Sequence, residues 1–247
     1  MKKNIIFLAF ILTCFLDKAG NGPALRDAKI DFKRTNEAYA KLEGISMDTY
    51  YIVYDDHQSK SALEGKNGSF IKYRENTYTM IDGIEMLSIG KMLISVNPDI
   101  KLITIGDNKP LELSPLQTNL DTILALCDDI KVEQAGMNEK KYKLYFKDEL
   151  AEYSEMDVHI DTKNLRYVKI VLFYNTKMNL RKDFYAEEKT PRLEIIYKNF
   201  KLVNQQPEIL NPDLYVLNID GKLKPTGKYY NYKVSDQRKQ SIVKTKK

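Results

Sequence analysis

The chain has 247 residues, 43% of them apolar, with 17 tyrosines, nine phenylalanines and no tryptophan. That length suits one large β-rich domain better than two small ones, and the tyrosine content favours strands with one wet face over a helical bundle. Two histidines, two cysteines and a formal net charge of +5 leave zinc and dithiol chemistry short of ligands, and no cofactor is expected.

Residues 1–20 read as a secretory signal peptide: MKKN is a basic start, and IIFLAFILTCFL is an apolar run too short to cross a bilayer. A lipid anchor on Cys14 is the lesser reading, because Leu12 and Thr13 stand where small residues should precede an acylated cysteine. Removing the signal leaves Cys127 as the only thiol, so burial alone must hold the exported chain together. Periplasmic localisation follows from this reading.

Leu25, Ala28, Phe32, Thr35, Tyr39 and Leu42 lie three and four residues apart, which predicts a helix with one apolar stripe, ended by Gly44. ISMDTYYIVYDD predicts a strand, and HQSKSALEGKNG a loop that turns at Asn67-Gly68. SFIKYRE, TYTMID, IEMLSI, KMLISV and KLITIG then form an antiparallel meander with tight turns between them. Met86 and Leu87 point to opposite faces, so both faces of that meander should be covered. Ser114-Pro115 marks a helix start, and Leu116, Leu120, Ile123, Leu124 and Cys127 make its stripe.

A second strand series follows: IKVEQAG, KYKLYFK, EMDVHID, LRYVKIVLFYN and RLEIIYKNFKLV, with Asn164 taking a positive φ in one turn. The segment LNPDLYVLNIDGKLKPTGKYYNYKV is expected to be irregular. From Lys222 onward nine basic residues face one acid, Asp236, so 222–247 reads as a solvated basic tail able to touch an anionic membrane surface. The expected division is 1–20 signal peptide, 21–221 main β-rich domain and 222–247 tail.

No nucleophile elbow, phosphate loop or dinucleotide fingerprint is present. His57 and His159 read as ordinary surface or sheet residues. The pairs Asp55-Asp56, Asp128-Asp129 and Glu187-Glu188 fall at segment ends without a calcium-loop pattern. The chain is therefore read as a non-enzyme, and no nucleic-acid partner is expected for an exported protein. One residue stands out. Arg74 closes an apolar strand, shares a face with Phe70 and Lys72, and has a fork suited to holding backbone carbonyls of a neighbouring element.

GSFIKYRENTYTM followed by MLSIGKMLISVNP resembles the signature region of the periplasmic outer-membrane lipoprotein carriers, the LolA-like proteins. The matching residues are Gly68, Arg74, Tyr78, Ser88, Gly90, Lys91, Asn97 and Pro98. The resemblance implies an α+β, mostly β fold: an unclosed antiparallel β-barrel, or half-barrel, whose concave face is covered by helices around a pocket for acyl chains. It implies a carrier or chaperone for lipid-modified proteins or similar amphiphiles, with Arg74 as latch and the helix from Pro115 as lid. Ligand-binding residues are then Arg74, Phe70, Leu116, Leu120, Ile123 and Leu124. Glu75 replaces the family's proline after the arginine, and ILNPDLYVLNID replaces its closing strand. The alternative reading is an envelope assembly or interaction protein built on the same scaffold.

Overall fold

Pro23 fixes the first helical turn and starts α1, Pro23–Ala40, in the computed structural model, which describes residues 22–108, 120–146, 151–181, 185 and 187–238. Leu25, Ala28, Phe32, Thr35 and Tyr39 are buried along α1 as the spacing predicts, together with Asp31. The helix stops at Ala40. Gly44 instead opens the first strand, where its bareness matters: a Cβ there would lie 2.6 Å from the Val203 carbonyl oxygen and 2.8 Å from the Tyr73 ring.

The strands are β1 (Gly44–Tyr54), β2 (Glu64–Tyr73), β3 (Asn76–Ile81), β4 (Ile84–Ile89), β5 (Met92–Asn97) and β6 (Leu102–Asp107). A short helix α2 (Leu120–Ala125) precedes β7 (Cys127–Gln134), β8 (Glu139–Phe146), β9 (Tyr153–Asp161), β10 (Arg166–Tyr174) and β11 (Arg192–Leu202). Single 3₁₀ turns at Glu208–Leu210, Pro212–Leu214 and Gly227–Tyr229 punctuate β12 (Val216–Ile219), β13 (Lys222–Pro225) and β14 (Lys233–Asp236).

Twelve strands form one open sheet in the order β14-β6-β5-β4-β3-β2-β1-β11-β10-β9-β8-β7. Its two meanders meet where β1 pairs with β2 on one side and β11 on the other. All pairings are antiparallel except β14 with β6. The edges β7 and β14 do not pair, so the barrel is unclosed, as expected. β12 and β13 make a separate two-stranded sheet.

Strand alternation divides the burial into two cores on opposite faces. Met47 lies opposite Phe70, and these point with Ile45, Tyr142, Leu144, Val158, Ile160 and Ile170 towards α1. The reverse face carries Tyr73, Tyr78, Leu87, Ile94, Val96, Ile103 and Ile105, packed against Leu210, Tyr215, Val216 and Tyr229 of the C-terminal segment. Only one face of β4 is fully covered: Glu85 and Leu87 are buried there, whereas on the other face Met86 is half-buried and Ile84 is exposed, because the α1-side core does not extend to this strand.

Several expectations are corrected. Asn67-Gly68 is not a turn: β2 already runs from Glu64, and Gly68 is bare because a Cβ would lie 2.5 Å from Thr49 Oγ1 and 2.6 Å from the Met80 carbonyl oxygen. Leu165, not Asn164, takes the positive φ of 52° in the β9–β10 turn, where Asp161 accepts hydrogen bonds from the Lys163 and Asn164 backbone N–H groups. Cys127 leaves the helical stripe and begins β7. The 221/222 boundary cuts the β12–β13 hairpin, and residues 222–238 are not a solvated tail. They supply buried Tyr229 and strand β14 because apolar residues alternate with the lysines. The signal peptide, the Ser114-Pro115 helix start and residues beyond Arg238 lie outside the described residues.

Candidate functional site

The face covered by α1 is built by cross-strand rows. Phe70, Ile123 and Leu124 belong to its single apolar cluster, so the sheet and α2 bring these three expected residues together. Leu116 lies outside the described residues, as does the side chain of Leu120, whose backbone begins α2. The middle of this face is filled by the chain itself: Phe32 of α1 meets the Tyr142 ring edge-on at 5.0 Å. Polar ties fix the helix there. Lys140 Nζ reaches Asp31 Oδ2 at 2.8 Å, the Tyr142 hydroxyl donates to the same carboxylate, and the Tyr167 hydroxyl donates to Asn36 Oδ1 at 2.8 Å.

Under the last turn of α1 the packing opens into a cavity of about 190 Å³, lined by Tyr39, Met47, Arg166, Tyr167, Tyr197 and Phe200 among others. Tyr39 and Tyr167 stack at 5.8 Å, and the Arg166 guanidinium lies 3.9 Å over the Phe200 ring. The Tyr197 hydroxyl is buried and makes no hydrogen bond with the described residues. Burial pushes its pKa well above the usual phenol value and that of Tyr39 up to about 12, so both stay neutral hydrogen-bonding groups. The cavity offers aromatic walls flanked by two cations, Arg166 and Lys198, and one carboxylate, Asp161. That suits a chain segment with a polar end, and the volume is far short of three acyl chains.

Arg74 is not on this face. It occupies the β2–β3 turn with φ 55°, and its side chain is 69% exposed. Its fork grips a carboxylate rather than backbone carbonyls: Nε and Nη2 donate to Glu43 Oε1 at 3.0 and 2.8 Å, and its own backbone N–H donates to the Glu43 carbonyl at 2.7 Å. Tyr73 Oη joins the same carboxylate at 3.1 Å, and the arginine holds Glu43 below the usual carboxylate range. Glu43 lies in the connection between α1 and β1, so Arg74 ties the β2–β3 turn to the residues that follow the covering helix. The adjoining Glu75 is not this partner.

The sequence reading missed Tyr197, Arg166 and Glu43. Tyr197 was legible in principle, since alternation in RLEIIYKNF places it with Ile195 on the α1 side; Glu43 was hidden by its distance in sequence from Arg74. Among the described residues no group of three histidine, cysteine or acidic side chains is placed to hold a metal. None of the described helices is long and apolar enough to cross a membrane.

No family model matches the chain, and no curated protein matches it in sequence. Solved structures match its fold. A LolA superfamily protein from Nitrosomonas europaea is 15% identical, covering 75% of this chain and 98% of its own, with a TM-score of 0.33. The lipoprotein LppX of Mycobacterium tuberculosis is 10% identical over 72% of this chain and 98% of its own, with a TM-score of 0.41. MucB of Pseudomonas aeruginosa, in complex with MucA, is 11% identical over 74% of this chain and 59% of its own, with a TM-score of 0.42. The likeness is a distant, LolA-like one of fold and carries no function with it.

Proposed function

We propose that the protein is a non-enzymatic carrier in the periplasm that holds an acyl chain of a lipoprotein, or a similar amphiphile, between α1 and the open sheet. The supporting observation is the aromatic cavity under the end of α1, walled by Tyr39, Tyr167, Tyr197 and Phe200, with Arg166 and Lys198 among its lining residues. Each buried methylene contributes about 0.8 kcal/mol, so even a partly enclosed chain is retained in water. A larger cargo needs α1 to swing from the sheet about the Glu43–Arg74 clamp, a two-state change that cargo binding itself would drive. Arg74 then acts at the pivot, while Phe70, Ile123, Leu124 and, by the sequence pattern, Leu116 and Leu120 line the opened face.

A second reading has its own observation. The apolar face is largely occupied by Phe32, Tyr142 and their neighbours, as expected of a scaffold used for envelope assembly rather than transport. Purification from the native envelope under mild conditions, followed by mass spectrometry of extracted small molecules, separates the two. A stoichiometric acylated molecule supports the carrier; a tightly held protein partner with no amphiphile overturns it in favour of the scaffold.

A further inference from the structure

The β12–β13 hairpin stands apart from the large sheet, and its two faces differ in character. Val216 and Leu223 turn inward onto the C-terminal core. The outer face sets Leu217 opposite Lys224 and Ile219 opposite Lys222. Leu217 and Ile219 are 40% and 41% exposed, both lysines are exposed, and no salt bridge ties either lysine to the described residues. The tip is the tight turn Asp220-Gly221, where φ is 54° and 76°, so a short, stiff ribbon presents aliphatic groups and ammonium groups side by side.

We propose that this outer face docks on an anionic lipid bilayer, with Leu217 and Ile219 entering the interfacial region and Lys222 and Lys224 reaching the headgroup phosphates. Two aliphatic side chains are far too few for a specific protein interface, which buries about 800 Å² on each partner. A bilayer demands no shape complementarity and rewards each exposed lysine and each inserted apolar group separately. Lysine stems also lie well along apolar surface while their charges stay in water. The one acid of the hairpin, Asp220, sits at the turn, where a positive φ favours aspartate, asparagine or glycine. Its charge opposes docking. The proposal does not depend on cargo binding: it concerns where the protein works, not what it holds.

Co-sedimentation of the full chain with vesicles of phosphatidylcholine, with and without phosphatidylglycerol, tests it, with circular dichroism confirming that each variant is folded. The parent should bind the anionic vesicles better. K222Q/K224Q should weaken that binding roughly thirtyfold, L217S/I219S about tenfold at unchanged charge, and D220N should strengthen it several-fold. Equal binding by the parent and L217S/I219S would overturn the proposal, because charge elsewhere in the chain would then suffice. So would indifference of the parent to phosphatidylglycerol, or binding to soluble polyglutamate without binding to vesicles, which would assign the face to an acidic protein.

Discussion

Asp157 lies on the outer face of β9, opposite Lys143 and 3.6 Å from Lys141 Nζ. Burial, reinforced by the nearby Glu155, pushes its carboxyl up to about 6 despite the two lysines. A carboxyl whose folded pKa exceeds its unfolded value binds its proton more tightly in the native state. Stability should therefore fall as pH rises from about 4 to 6 and stay reduced above that. Asp157→Asn removes the penalty, and Lys141 and Lys143 keep Glu133 and Glu155 as partners at 2.9 and 3.1 Å. Thermal melts across pH should show the variant more stable near neutrality by about 1–2 kcal/mol and no better than the parent below pH about 4; an equal gain at both ends would refute the assignment. Arg74 makes a different kind of claim. Both partners of its clamp are largely exposed, so Arg74→Leu should leave the melting temperature nearly unchanged while speeding release of a bound fluorescent fatty acid. Identical release from variant and parent would remove Arg74 from the mechanism. The sequence singled out this arginine but misplaced it, because nothing local announces that a strand ends in a positive φ one residue early.

The C-terminal segment is fastened through one carboxylate. Glu85 of β4 is buried and accepts from the Tyr78 hydroxyl at 3.0 Å, the Tyr229 hydroxyl at 2.7 Å and Lys228 Nζ at 3.0 Å. Tyr215 stacks on Tyr229 at 5.3 Å. Glu85→Ala strands two buried hydroxyls, a cost of about 2–4 kcal/mol. Hydrogen exchange should quicken across 208–236 while β8–β10 keep their protection; uniform loosening would mean that the segment is not a separable unit. The meander β3–β6 was legible because its turns recur between short apolar ribbons, and α1 because its stripe is uninterrupted. The first half of β2, Glu64–Asn67, was not, since its polar residues give no alternation and only pairing with β1 makes it a strand. The C-terminal strands were masked likewise by lysines interleaved with Leu223, Tyr229 and Val234. Phe70, Ile123 and Leu124 were readable from periodicity as members of the α1-side core, but none of them lines the aromatic cavity, which needs α1, β1, β9, β10 and β11 together.

At the scale of the molecule, a single sheet serves two cores, and each is closed from a different end of the chain. α1, which precedes every described strand in sequence, covers one face, and residues 208–236 cover the other. A chain stopped after Thr226 lacks Tyr229 and β14 and bares Ile94, Val96, Ile103 and Ile105. It should stay in inclusion bodies or bind a hydrophobic dye strongly when the whole protein does not; a soluble, non-binding product would show that the second core is dispensable.

The parallel pairing of β14 with β6 sets a clock on biosynthesis. β14 docks beside a strand made well over a hundred residues earlier, so this pairing cannot form until residues 233–236 have been synthesised. Until then the nascent polypeptide shows a sticky flank that holdases can grip and proteases can recognise. A product interrupted before residue 233 keeps that flank uncovered beside β6.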